Sequence, residues 1–172
     1  RYKTGFLVIL LCIFYTVGTV GLLSDQRSSF LELSFLNLAI SFAILLIARI
    51  AHSIKFYLFC LVGFFIGMGA EWICVHTGYL FGDYTYGKNL GPLWYGVPLI
   101  IGVNWIMLTM ISAAVTAKLK IHWIIKAILA TFLMLILDLL IEPVAIKSDY
   151  WTWNGDIPLS NFIGWFLIAL LL

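Results

Sequence analysis

The sequence predicts an all-α, polytopic transmembrane helix bundle of about six helices, with two long extramembrane or re-entrant loops on one side. Three observations carry this expectation. The composition is 63% hydrophobic against 10% charged, with a mean hydropathy of +1.09, far from that of a water-soluble domain. Apolar runs close to span length recur along the chain, and basic residues are divided unevenly between the connections. At roughly 20 residues per span, 172 residues make one compact bundle, so residues 1–172 are expected to form a single integral-membrane domain.

The first run, Gly5 to Leu23, follows Arg1 and Lys3 in the manner of a signal peptide. No small-x-small cleavage site follows it and further runs lie behind it, so it reads as a retained helix. Further runs cover Phe30 to Ile50, Phe56 to Val75, Val97 to Ala117 and Ile121 to Ile141. A sixth starts near Asn161 and reaches Leu172 after about a dozen residues, too short at helical rise to cross a core of about 30 Å untilted, as if the native chain continued. No internal repeat or low-complexity tract breaks the series, and the longest connections are His76 to Gly96 and Pro143 to Pro158.

Charge sets the orientation. Arg1, Lys3, Arg49, Lys55, Lys118, Lys120 and Lys126 fall on one side, whereas Arg27, Lys88 and Lys147 fall on the other. The positive-inside rule makes the first side cytoplasmic, so the N-terminus is inside and both long loops face outward. The net charge of +2 is too weak and scattered for a nucleic-acid surface. Cys12, Cys60 and Cys74 lie in apolar runs without a CxxC pair and read as small buried hydrophobes.

This topology fixes the depth of the acids. Glu71 lies about 15 residues up the third run and Asp138 about 17 up the fifth, both in the outer half, with Glu142 one turn further. Asp138 and Glu142 share a helix face at i, i+4, which like charges resist unless one is protonated or paired. Gly63, Gly67 and Glu71 form a stripe along which a neighbouring helix packs closely, so Glu71 is expected to point into the bundle. Ser34, Asn37 and Ser41 make a polar stripe on the second run, and Asn104 opens another on the fourth. A carboxylate in hydrocarbon costs several kcal/mol and needs a partner, a proton or a purpose. Three at one depth exceed what hydrogen bonding between helices requires, although such bonding is the bland alternative for each alone.

His76 and Asp83 follow Glu71 along the same connection, but their spacing fits no compact ligand pattern, and no metal is expected. His52 and His122 fall on the opposite side and read as interfacial. The alternating aromatics of Tyr79 to Gly87 fit a short hairpin or re-entrant cap, with an interfacial aromatic belt as the bland alternative, and Trp151 and Trp153 face the same choice. An aromatic pocket with few polar groups suits an apolar polyene and stabilises a carbocation through its ring faces.

Two blocks carry a family resemblance. The first is Glu71-Trp72-Ile73-Cys74-Val75-His76-Thr77-Gly78 with Phe81-Gly82-Asp83-Tyr84, Leu90-Gly91-Pro92 and Gly96-Val97-Pro98-Leu99. The second is Asp138-Leu139-Leu140-Ile141-Glu142-Pro143-Val144-Ala145, with Trp151-Thr152-Trp153 and Pro158-Leu159-Ser160-Asn161-Phe162-Ile163-Gly164-Trp165. In family order they resemble the carotenoid biosynthesis family, which includes 1,2-hydratases acting on linear ψ-ends of carotenes. The resemblance implies hydration of a terminal C=C bond of an acyclic or monocyclic carotenoid, without redox chemistry or an organic cofactor. It implies a carotenoid substrate, a bilayer, other pathway membrane enzymes as companions and a prokaryotic cytoplasmic membrane.

The residues suit that chemistry: an acid protonates the isopropylidene end, aromatic faces stabilise the tertiary cation, and a carboxylate-activated water captures it. Asp138 and Glu142 are the expected central pair, Glu71 the other candidate acid, and His76 and Asp83 the residues orienting water. Trp72, Tyr84, Tyr86, Asn104, Trp151, Trp153, Asn161 and Trp165 are the candidate substrate-binding residues. The alternatives are a carotene end-group cyclase, which begins with the same protonation, and a noncatalytic pigment-binding subunit that uses its acids as helix glue.

Overall fold

The computed structural model describes residues 2–48 and 53–172; Arg1, Arg49, Ile50 and His52, which entered the charge, span and interface expectations, lie outside them. The chain is an all-α membrane bundle of α1 (Tyr2–Leu22), α2 (Arg27–Glu32), α3 (Ser34–Ala48), α4 (Ile54–Thr77), α5 (Leu99–Ala117), α6 (Trp123–Lys147) and α7 (Leu159–Leu171). Four short strands, β1 (Tyr84–Tyr86), β2 (Leu93–Trp94), β3 (Val97–Pro98) and β4 (Trp151–Trp153), lie in the two long connections. Helices α1, α4, α5 and α6 are long and apolar enough to cross a membrane, whereas α3 and α7 are shorter apolar helices. Large apolar side chains such as Phe6, Phe65 and Leu140 remain about two-thirds exposed on the outside of the bundle, the surface a bilayer would solvate.

Helix α5 is central, packing against α3, α4 and α6, while α7 closes against α6 and α4. Helix α1 lies outside this group, on α2 and α3. The core unites Met68 and Cys74 of α4, Ile101 and Trp105 of α5, Met134 of α6 and Ala169 of α7 with Phe81 and Tyr84 from the first long connection.

Several boundaries differ from the sequence expectation. The second run breaks into α2 and α3 at Leu33, whose N–H closes a tight turn on the Phe30 carbonyl. The fifth run passes through Pro143 to Lys147, because proline removes one backbone donor without halting a helix packed on both sides by neighbours. The aromatic stretch after Tyr79 does not fold on itself. Its strand β1 pairs antiparallel with β4 of the other connection, Tyr84 opposite Trp153 and Tyr86 opposite Trp151, and the local hairpin forms instead between β2 and β3. This pairing puts both long connections at the same end of the bundle. At Gly87 the two connections approach so closely that a Cβ would lie 2.0 Å from the Asp149 carbonyl oxygen. Cys74 is buried as expected, but Cys12 is exposed on α1 and Cys60 is only half-buried, because apolar runs in a bilayer turn one face to lipid.

Candidate active site

Strand periodicity and helix phase bring nine aromatic and three acidic residues to one cavity of about 320 Å³ at the loop end. On the β1–β4 ribbon, Thr85 and Thr152 are exposed, while Tyr84, Tyr86, Trp151 and Trp153 line the cavity. Trp105 and Trp165 complete the aromatic wall, their rings stacked with centroids 4.1 Å apart. Asn104 lines the cavity too.

Each acid is held by donors from other elements. On α4, Gly67 sits one turn before Glu71, and a Cβ there would come within 2.7–2.9 Å of the Trp105 side chain. The glycine thus admits the α5 indole, whose Nε1 donates to Glu71 Oε1 at 3.0 Å. The Tyr86 hydroxyl donates to Glu71 Oε2 at 2.7 Å, and the Tyr84 hydroxyl donates to the same oxygen. Burial, reinforced by the neighbouring Glu71 charge, pushes both phenols well above their usual range, so they remain donors at neutral pH. On α6, Glu142 Oε2 accepts from the indole Nε1 of Trp151 at 3.1 Å and of Trp153 at 3.0 Å. One turn earlier, Asp138 Oδ2 accepts from Asn161 Nδ2 of α7 at 2.9 Å.

The ribbon therefore joins the acids physically: its tyrosine strand holds Glu71 and its tryptophan strand holds Glu142. The donors reaching the acids are neutral phenols, indoles and an amide. Both Glu71 oxygens are engaged. Among the described residues, nothing donates to Asp138 Oδ1 or Glu142 Oε1, which leaves each of these acids one oxygen for a molecule in the cavity. Such an arrangement offers rings on which an apolar molecule can lie and acids that can exchange a proton with it.

Of the residues selected from sequence, Glu71, Asp138, Glu142, Tyr84, Tyr86, Asn104, Trp151, Trp153, Asn161 and Trp165 meet at this cavity. Trp72, His76 and Asp83 do not. Trp72 follows Glu71 by about 100° of helix rotation and is 40% exposed. His76, about 140° from Glu71, is exposed and lies against Trp72, its Nδ1 2.8 Å from the Trp72 carbonyl oxygen. Asp83 precedes inward-facing Tyr84, so strand alternation turns it outward. There it accepts from Asn154 Nδ2 at 2.8 Å and clips the two connections together. The expectation that His76 and Asp83 orient water in this site does not fit these positions.

Sequence reasoning passed over Trp105 and Tyr150. The signal for Trp105 was an indole deep in an apolar run, which needs an acceptor when buried. Tyr150 lines the cavity, its hydroxyl 2.7 Å from Ser34 Oγ, so the polar stripe on α3 is part of the wall. Asn37 lines it as well, and Ser41 instead meets the Tyr15 hydroxyl at 3.1 Å. His122 caps α6, its Nδ1 accepting from Ile124 N–H at 3.4 Å.

The family described as carotenoid biosynthesis protein matches residues 31–172, well over half the chain. A bisanhydrobacterioruberin hydratase from Haloarcula japonica is 28% identical over 116 residues, covering 58% of this chain and 37% of that protein. The chain thus spans well under half the length of this relative. No solved structure matches the chain significantly.

Proposed function

This chain belongs to the carotenoid biosynthesis protein family, and from that premise we propose that it is a hydro-lyase adding water to the terminal C=C bond of a carotenoid ψ-end. The observation that carries the reading is the pair on α6: Asp138 and Glu142, one turn apart, line the same aromatic cavity, and each has an oxygen to which nothing donates among the described residues. Asp138, in its acid form and steadied by Asn161, gives its proton to the alkene carbon nearer the chain. The π pair becomes the new C–H bond, and a tertiary cation remains on the carbon bearing two methyl groups. The ring faces of Trp105, Trp151, Trp153 and Trp165 stabilise it. A water oxygen bonds to the cation while Glu142 takes its proton, and transfer of that proton across one helical turn to Asp138 restores the pair. Glu71, with both oxygens engaged, fixes the ribbon.

The similarity to a hydratase supports water as the nucleophile. Expression in cells that accumulate an acyclic carotene, followed by product mass measurement, tests it: the expected product gains one water. A ring without a change in mass means a cyclase, and a polyene that is bound but unaltered means a carrier. The split of basic residues supports an outward-facing loop end. A cysteine at Lys88 should then react with an impermeant thiol reagent in intact cells, and labelling only after lysis would reverse the orientation.

A further inference from the structure

The cavity has an open side. Helix α1 contributes Phe14, Val17, Gly18 and Leu22, which share one helix face. Opposite them, α6 contributes Leu137 and Ile141, next to the buried Asp138 and Glu142. Helix α1 packs on α2 and α3, and α6 packs on α5 and α7, so α1 and α6 face each other across the cavity. Four of these lining residues are also open to the outside: Val17 is 53% exposed, Ile141 42%, Phe14 38% and Leu137 37%. A Cβ added at Gly18 would meet nothing within 4 Å. At the loop end the gap is bridged, Arg27 Nη2 donating to the Lys147 carbonyl at 2.7 Å.

A volume of about 320 Å³ is near the lower end of the roughly 300–1,000 Å³ that encloses a drug-sized ligand. A branched end group with a few carbons of its chain fills it, and the rest of a long polyene must lie elsewhere. The only chemistry compatible with Val17, Leu137 and Ile141 on the way out is hydrocarbon.

We propose that the cleft between α1 and α6 is a lateral port from the bilayer. The end group of a carotenoid passes Gly18 to reach the acids, and the remaining polyene stays in the hydrocarbon along the cleft. This inference rests on the carotenoid reading above. It makes selectivity a property of the end group and the first few carbons, with total chain length immaterial, and it makes Gly18 the residue that sets the width of the port.

Gly18→Trp tests this by filling the port from a backbone position with room for a side chain. Gly5→Trp is the control: Gly5 also has nothing within 4 Å, and it lies on the same helix away from the cavity. Turnover is compared for an acyclic carotene and for a ten-carbon isoprenoid hydrocarbon with the same isopropylidene end. The short hydrocarbon fits inside the cavity and uses the port only to enter, whereas a long polyene occupies it throughout turnover, so Gly18→Trp should lower the ratio of long to short turnover by about tenfold or more, the scale of losing the burial of one branched apolar group. Gly5→Trp should leave that ratio at the parent value. Should Gly18→Trp fail to fold, Gly18→Cys is folded first and then alkylated with a bulky apolar maleimide, with Gly5→Cys treated alike to control for the native cysteines.

An unchanged ratio, or equal loss of both substrates, would overturn the port. Binding is read separately, from the visible absorption of polyene that copurifies with the protein. If the parent holds polyene but never adds water, the hydratase reading fails, and the port stands or falls on whether Gly18→Trp loses that polyene while Gly5→Trp keeps it. A parent that holds no polyene overturns the port.

Discussion

The two ends of the bundle bury polar groups in different ways. Away from the long connections, Ser112, Thr116 and Thr131 are almost fully buried where α5 meets α6. Their hydrogen bonds stay local: Thr116 donates to the Ser112 carbonyl at 3.1 Å and Thr131 to the Ala127 carbonyl at 3.0 Å, one turn back on the same helix. Ser112 Oγ has no partner among the described residues. At the loop end, Glu71, Asp138 and Glu142 are just as buried, but their donors come from β1, β4, α5 and α7. The Thr116 and Thr131 hydroxyls are satisfied as soon as their own helices form. An unprotonated carboxyl oxygen only accepts, and the backbone N–H groups around it are already committed to the helix, so it must be served from elsewhere. Polarity satisfied within one helix needs no neighbour, whereas polarity that needs several elements to converge encloses a site.

The sharpest way to break this contrast is at the acids. Asp138→Asn and Glu142→Gln keep size and hydrogen bonding but cannot exchange the proton, so each should lower water addition by about 100- to 10,000-fold, the usual range for losing a general acid or base. Thermal melting of the purified variants should stay close to the parent, and near-parent turnover would make the pair structural and return the search for the acid to Glu71. A smaller effect is expected at the ribbon. Trp153→Phe keeps a ring but removes one of the two donors to Glu142, which should cost about 1–3 kcal/mol of stability, because a buried acceptor loses a partner. Denaturation of the variant measures that loss, and a neutral result would mean the ribbon covers the acid without holding it.

The smallest effects belong to the other end and to the outside. Ser112→Ala should stay within about 0.5 kcal/mol of the parent, since its hydroxyl makes no bond among the described residues. His76→Ala should keep turnover within about twofold, far from the loss a proton-transfer residue would show. A large fall in carotene hydration on changing His76 would mean that the outer surface of α4 belongs to the site.

The apolar runs, the membrane class and the shared side of the long connections were legible because hydropathy and charge bias add up along the chain without reference to any fold. That Glu71, Asp138 and Glu142 meet at one level of the bundle was legible for a similar reason, helical rise converting residue number into height. Tertiary structure alone decided which donor serves which acid. Tyr84 and Trp153 belong to different connections and meet only after α5 and α6 have packed, so no local pattern could announce the ribbon. Tertiary structure also separated Glu71 from Trp72 and His76, which share its helix and its sequence motif. Each residue turns a helix by about 100°, and which sector faces the cavity is set by the neighbour that packs there, in this case Trp105 seated against Gly67.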